Sequence, residues 1–139
     1  MAVKFSDNSF QCKKAIDDAL DVFLEEASGN VEAMVKRNTR VDTGDLKASW
    51  NHVVDGDVAY VGSDKENAIW EEYGTGIYAE NGDGRKTGWV YEYYGNKMSK
   101  GKHFTRGKHK NPKGLRVTFN GMKSQINRLA EDILKGNLK

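Results

Sequence analysis

Val41-Asp42-Thr43-Gly44-Asp45-Leu46-Lys47-Ala48-Ser49-Trp50, running on into Asn51-His52-Val53-Val54-Asp55-Gly56-Asp57-Val58-Ala59-Tyr60-Val61-Gly62, is the stretch on which the fold turns. Asp42 or Thr43 can cap a short helical turn that starts at Gly44, since a small polar side chain there can accept from the orphan N–H groups of the first turn. The period then changes to two. Trp50, His52 and Val54 alternate with Asn51 and Val53, and Val58, Tyr60 and Gly62 alternate with Ala59 and Val61. Asp55-Gly56-Asp57 between them supplies a hairpin turn. A helical turn leading into a hairpin predicts a mixed α+β chain.

Upstream, apolar residues fall at Cys12, Ile16, Leu20, Phe23, Ala27, Val31 and Met34, at steps of three and four. That spacing predicts one long helix over about 10–38, roughly 43 Å at 1.5 Å per residue. Asp17, Asp18 and Asp21 early in it and Lys36, Arg37 and Arg40 at its end suit the helix dipole. Ser28-Gly29-Asn30 is its weak point, where a kink or break is expected because glycine costs about 1 kcal/mol against alanine. Cys12, the single cysteine, is expected as a small buried or half-buried filler rather than a reactive thiol, and no intrachain disulfide can form.

Downstream, Ala68 to Tyr73 reads equally as a short helix or a strand. Residues 77–114 form an extended loop region with seven glycines and the only proline, Pro112. Inside it, Gly88 to Tyr94 has β propensity and is expected to pair with residues near 102–105. A second helix follows, with Phe119, Met122, Ile126, Leu129 and Ile133 on one face, capped by Thr118 or Asn120 and ended by Gly136. The 139 residues fit one domain, 1–139. Its expected core is Leu20, Phe23, Trp50, Trp70, Phe119, Ile126 and Ile133.

Composition excludes several classes. Mean hydropathy is −0.76 and 30% of residues are charged, with no apolar run of membrane-spanning length and no leader-like segment. A soluble protein, not addressed for export, is expected. His52, His103, His109 and Cys12 lack metal-ligand spacing, so neither a metal nor a cofactor is expected. Gly82-Asp83-Gly84-Arg85-Lys86-Thr87-Gly88 lacks the glycine before lysine of a phosphate loop. Asp42-Thr43-Gly44 matches the triplet of dimeric aspartic proteases, but such chains are nearly all strand, and this one carries two long helices. The chain is therefore not expected to be an enzyme.

Charge is unevenly spread. Residues 1–84 hold 8 basic and 17 acidic residues, and residues 85–139 hold 14 and 3. Lys97, Lys100, Lys102, Arg106, Lys108, Lys110, Lys113 and Arg116 follow one another with no acid between. This run reads as a solvated loop, a subunit contact, or a DNA contact in which neighbouring aromatics assist. Asp17, Asp18, Asp21 and Glu25 are one acidic partner face for it.

These blocks together resemble the HK97 gp10-like family of phage tail components. The resemblance rests on Asp42, Thr43, Gly44, Leu46 and Ser49 in the first block, and on Trp70, Glu72, Tyr73, Gly74 and Thr75 in the second. Asn111-Pro112 and Leu115-Arg116 resemble a third block, in which Lys113-Gly114 and Val117-Thr118 depart from the usual residues. The resemblance implies a small antiparallel sheet with the long N-terminal helix packed across it, a long basic loop or hairpin, and a C-terminal helix. It further implies a structural virion protein of the neck, assembled in the host bacterial cytoplasm. Such proteins are thought to complete the tail or join head to tail as a ring, commonly a hexamer, around the DNA channel. Implied partners are further copies of the chain, head-connector or stopper proteins, tail-terminator or tail-tube proteins, and the passing double-stranded DNA. No membrane partner is implied. The alternative is a nucleic-acid-binding module that uses the basic loop 97–116.

Overall fold

The structure is a computed structural model that describes residues 2–137. Helix α1 (Ser9–Asn38) leads to a short helix α2 (Asp45–Ser49), strands β1 (Trp50–Asp55) and β2 (Val58–Ser63), and helix α3 (Glu66–Tyr73). A single 3-10 turn (Gly76–Tyr78), strands β3 (Trp89–Tyr93) and β4 (Gly101–Thr105) and helix α4 (Leu115–Asn137) follow. The class is α+β, with two separate two-stranded antiparallel sheets, β1-β2 and β3-β4.

Asp55 pairs with Val58, so the first hairpin closes on two residues, Gly56-Asp57. The second pairs Trp89 with Thr105 and Tyr93 with Gly101, joining the two segments expected to meet. The open question at Ala68–Tyr73 resolves as helix. Its period explains why: Ala68, Glu71 and Glu72 share the inward side, Ala68 buried and the two carboxylates mostly covered.

α1 lies between α4 and the first hairpin. The core is Val31, Val35, Leu46, Trp50, Ala68 and Met122, with Met34, Val61, Leu115 and Ile126 packed on it. It is built on the second half of α1 only. Residues 9–18 at the start of α1 project with almost every side chain exposed.

Several expectations are thereby corrected. α1 runs unbroken through Ser28-Gly29-Asn30. Ser28 is buried and donates its hydroxyl back to the Leu24 carbonyl (2.5 Å), and Gly29 leaves room for the His52 ring. Packing on both sides of the helix outweighs about 1 kcal/mol of glycine propensity. Cys12 is exposed, because among the described residues almost nothing covers the projecting start of α1, 9–18. Trp70 and Phe119 are not core: they are 49% and 45% exposed, as Ala68 and Met122 take the inward positions on their helices. α4 begins four residues before Phe119, at Leu115, and includes Gly136, so neither Thr118, Asn120 nor Gly136 bounds it.

Candidate interaction surface

The end of α3 and the chain after it meet the returning basic loop, and both sequence blocks take their meaning there. The Thr75 N–H donates to the Lys108 carbonyl (2.9 Å), Ile77 N–H to the Arg106 carbonyl (3.1 Å), and Lys108 N–H to Thr75 Oγ1 (2.9 Å). Two backbones approach closely here, and glycine permits it. Gly76 has φ +62° and Gly107 φ +133°, and a Cβ on either would run into the opposite chain. Gly74, buried, ends α3 against the carbonyl of Lys108.

Glu72 is the hinge pin of this joint. Its carboxylate accepts from the N–H groups of Leu115 (2.6 Å) and Arg116 (3.1 Å), the first two residues of α4, and from Arg116 Nε (2.8 Å). A side chain distant in sequence thus caps α4, and its negative charge sits at the positive end of the helix dipole. The Arg116 guanidinium reaches on to Glu80 (2.7 Å) and lies over the Tyr73 ring at 4.5 Å. Glu80, then Glu72, raise the Arg116 pKa, and Arg116 holds the Glu80 carboxyl below its ordinary value.

The basic run is therefore divided. Lys108 pairs with Glu71, Lys110 with Glu80 at 3.5 Å, and Arg116 with Glu72 and Glu80. Glu71 also faces Arg40, at 4.0 Å. Lys97, Lys100, Lys102, Arg106 and Lys113 have no acidic partner among the described residues. Tyr94 and Phe104 stand exposed in the same segment. Asn111, buried, fixes the far end of the loop: its N–H donates to the Glu71 carbonyl (2.6 Å), and its amide faces the Asn38 carbonyl.

The first block also acts at long range. Leu46 is core, and the Ser49 hydroxyl meets that of Ser63 at 2.6 Å, tying α2 to the end of β2. Thr43 Oγ1 accepts from Asp45 N–H at 3.4 Å, while Gly44, at the N-cap, has no side chain to offer. Asp42 does not cap α2. It reaches the turn of the second hairpin, accepting from Asn96 N–H (2.8 Å) and the Tyr93 hydroxyl (2.7 Å), and the Lys97 N–H donates to that hydroxyl in turn. The Asn96 N–H, then Tyr93, hold the Asp42 carboxyl below its ordinary value. With donors on a single aspartate and no second carboxylate in this network, Asp42 is a loop anchor.

Of the four α1 acids, Asp17 pairs with Lys13 at 3.4 Å and Glu25 with His52 Nε2 at 2.8 Å. Asp18 and Asp21 are unpaired among the described residues. Sequence reasoning missed the role of His52: its other ring nitrogen meets Glu32, which also holds Lys36. The Glu25 and Glu32 hydrogen bonds raise the His52 pKa. It missed Glu71 and Glu80 as partners of the basic run. The local signal for the first was its place one turn from Ala68; Glu80 has none.

An apolar groove of about 370 Å³ opens between α1, β2 and α4, lined among others by Phe23, Ala27, Val31, Ala59, Leu115 and Phe119. Among the described residues no helix is long and apolar enough to cross a membrane, and no three metal-ligating side chains cluster.

A small α+β chain results, with the first hairpin and α4 packed on one projecting helix and the second hairpin anchored through Asp42, and its sequence blocks act as joints. Residues 4–82 match the model of the family described as "Bacteriophage HK97-gp10, putative tail-component". The chain belongs to this HK97-gp10-like family of bacteriophage tail components, whose place is in the virion, in contact with other virion proteins. The match contains both sequence blocks and ends before β3, so the basic loop and α4 lie outside it. Comparison with curated proteins and with solved structures returns no significant match.

Proposed function

We propose that the chain is a structural, non-enzymatic subunit that forms a ring, a hexamer, in the phage neck, completing the tail or its joint with the head around the DNA channel. One observation carries this reading. The isolated chain exposes 10,186 Å², whereas a compact monomer of its 15.6 kDa exposes about 7,300 Å². The surplus is on the scale of two protein–protein interfaces, at about 800 Å² or more per partner for each. Among the described residues twenty-one large apolar side chains stand exposed, Phe5, Phe10, Tyr94 and Phe104 among them. A ring requires unlike patches to meet. Asp17, Asp18 and Asp21 on one side, with the five unpaired cations of the basic loop on the other, fit that requirement.

Light scattering after gel filtration, at low and high salt, tests it. The expected result is a closed oligomer near six times 15.6 kDa that loosens as salt rises. A monomer at every salt refutes self-assembly.

A second reading draws on the same five cations beside exposed Tyr94 and Phe104: a module that grips nucleic acid through the loop. It requires the monomer to retard DNA, with a log–log salt slope of about −4 for five phosphate contacts.

A further inference from the structure

We infer that the groove between α1, β2 and α4 receives the projecting start of α1 from a second copy of this chain. The inference rests on the ring reading and names the contact that would build it.

The guest and the host are both visible in one chain, and neither can satisfy the other within it. Val3, Phe5, Phe10 and Ile16 are 75%, 94%, 75% and 50% exposed. Cys12 and Ile16 lie one turn apart and begin the apolar stripe that continues as Leu20 and Phe23. The same stripe that lines the core and groove further along the helix thus carries on for about one turn, Cys12 to Ile16, with no described residue covering it. The groove is its complement in chemistry. Its polar liners are already engaged: Ser28 donates to the Leu24 carbonyl, and Arg116 is held by Glu72 and Glu80. An apolar guest strands no hydrogen-bonding group there.

A chain cannot fill its own groove this way. α1 is itself one wall, and from Cys12 to Phe23, its first lining residue, is roughly 16 Å of helix axis. Folding the start of α1 back would break a helix that is continuous from Ser9 to Asn38. A second copy meets no such obstacle. Guest and host surfaces differ, so each copy gives one and takes one, the head-to-tail arrangement that closes into rings.

Cys12 makes the contact testable. In Ala59→Cys, each chain carries one thiol on the guest segment and one in the host groove. Treatment of the assembled protein with a short bifunctional thiol reagent should yield a ladder of covalent products beyond the dimer. The native chain and the Cys12→Ser/Ala59→Cys chain, with one thiol each, should stop at the dimer. Phe119→Cys on the opposite wall repeats the test if Ala59→Cys misfolds. Phe10→Asp with Ile16→Asp should lower the assembled fraction at least tenfold while far-UV circular dichroism of the monomer stays unchanged. Folded, assembled cysteine variants that give no ladder overturn this contact and leave the ring standing. A native chain that never assembles overturns both.

Discussion

Replacing Glu72 with alanine should cost more stability than any other change to a charged residue on this surface. The Glu72 side chain is 13% exposed, and it accepts the N–H groups of Leu115 and Arg116. Without it, two donors at the half-buried to exposed start of α4 lose their acceptor. Removing a capping acceptor costs about 0.5–2 kcal/mol. A hydrogen bond to a charged group is worth about 1.5–3 kcal/mol. Counting only the two backbone donors, and leaving aside the half-exposed Arg116 side chain, the loss comes to roughly 2–4 kcal/mol. At about 3–4 °C per kcal/mol for a chain of this size, Tm falls by roughly 6–16 °C. Glu72→Gln keeps one acceptor oxygen and should fall between. Glu80→Ala removes only an exposed partner of Arg116, so its effect should be near measurement error. The assay is urea denaturation at one fixed protein concentration, since assembly would add its own stability. A Glu72→Ala loss below about 1 kcal/mol, or one no larger than that of Glu80→Ala, refutes the assignment of Glu72 as the cap of α4.

Three further outcomes follow from the same geometry. Gly76→Ala forces a side chain into φ +62° and against the Arg106 carbonyl, whereas Gly82→Ala meets φ +70° in open space. Gly82→Ala should cost about 1–2 kcal/mol and Gly76→Ala distinctly more by denaturation; equal costs would show that the two backbones do not meet. Trp50 is core, yet its indole N–H has no partner. Trp50→Ala should lose about 3–5 kcal/mol, but Trp50→Phe less than half of that, because it also removes an unsatisfied donor. His52 has a raised pKa, so the stability it contributes is fully present below its unfolded value, about 6.5, and is lost as pH rises through the folded value. Glu32, lowered by Lys36 and then His52, loses its share as pH falls below about 4.3. Urea midpoints should decline from pH 6 towards pH 8.5 in the native chain and stay flatter in His52→Gln; parallel curves would remove His52 as the cause.

The elements were readable because their causes are local. The three- and four-residue steps from Cys12 to Met34 specify a helix wherever they occur, and Asp55-Gly56-Asp57 between alternating residues specifies a hairpin. The two sequence blocks were visible as motifs, but their work was not. Asp42 looks like a cap of the helix beside it and instead holds a turn at Asn96. Glu72 reads only as one residue of the second block, yet it caps a helix that begins at Leu115.

The sequence by itself determined the α+β class, the long first and last helices with two hairpins between them, and the segregation of acid and base along the chain. Each depends on residues within a turn or two of one another. Tertiary structure alone decided which acids meet which bases, leaving five cations of the loop without an acidic partner among the described residues. It alone decided that the core forms on the second half of α1 and leaves residues 9–18 almost bare. Ion pairing and burial depend on which distant surfaces come together, and the periodicity that makes α1 a helix is the same along its whole length, packed or unpacked.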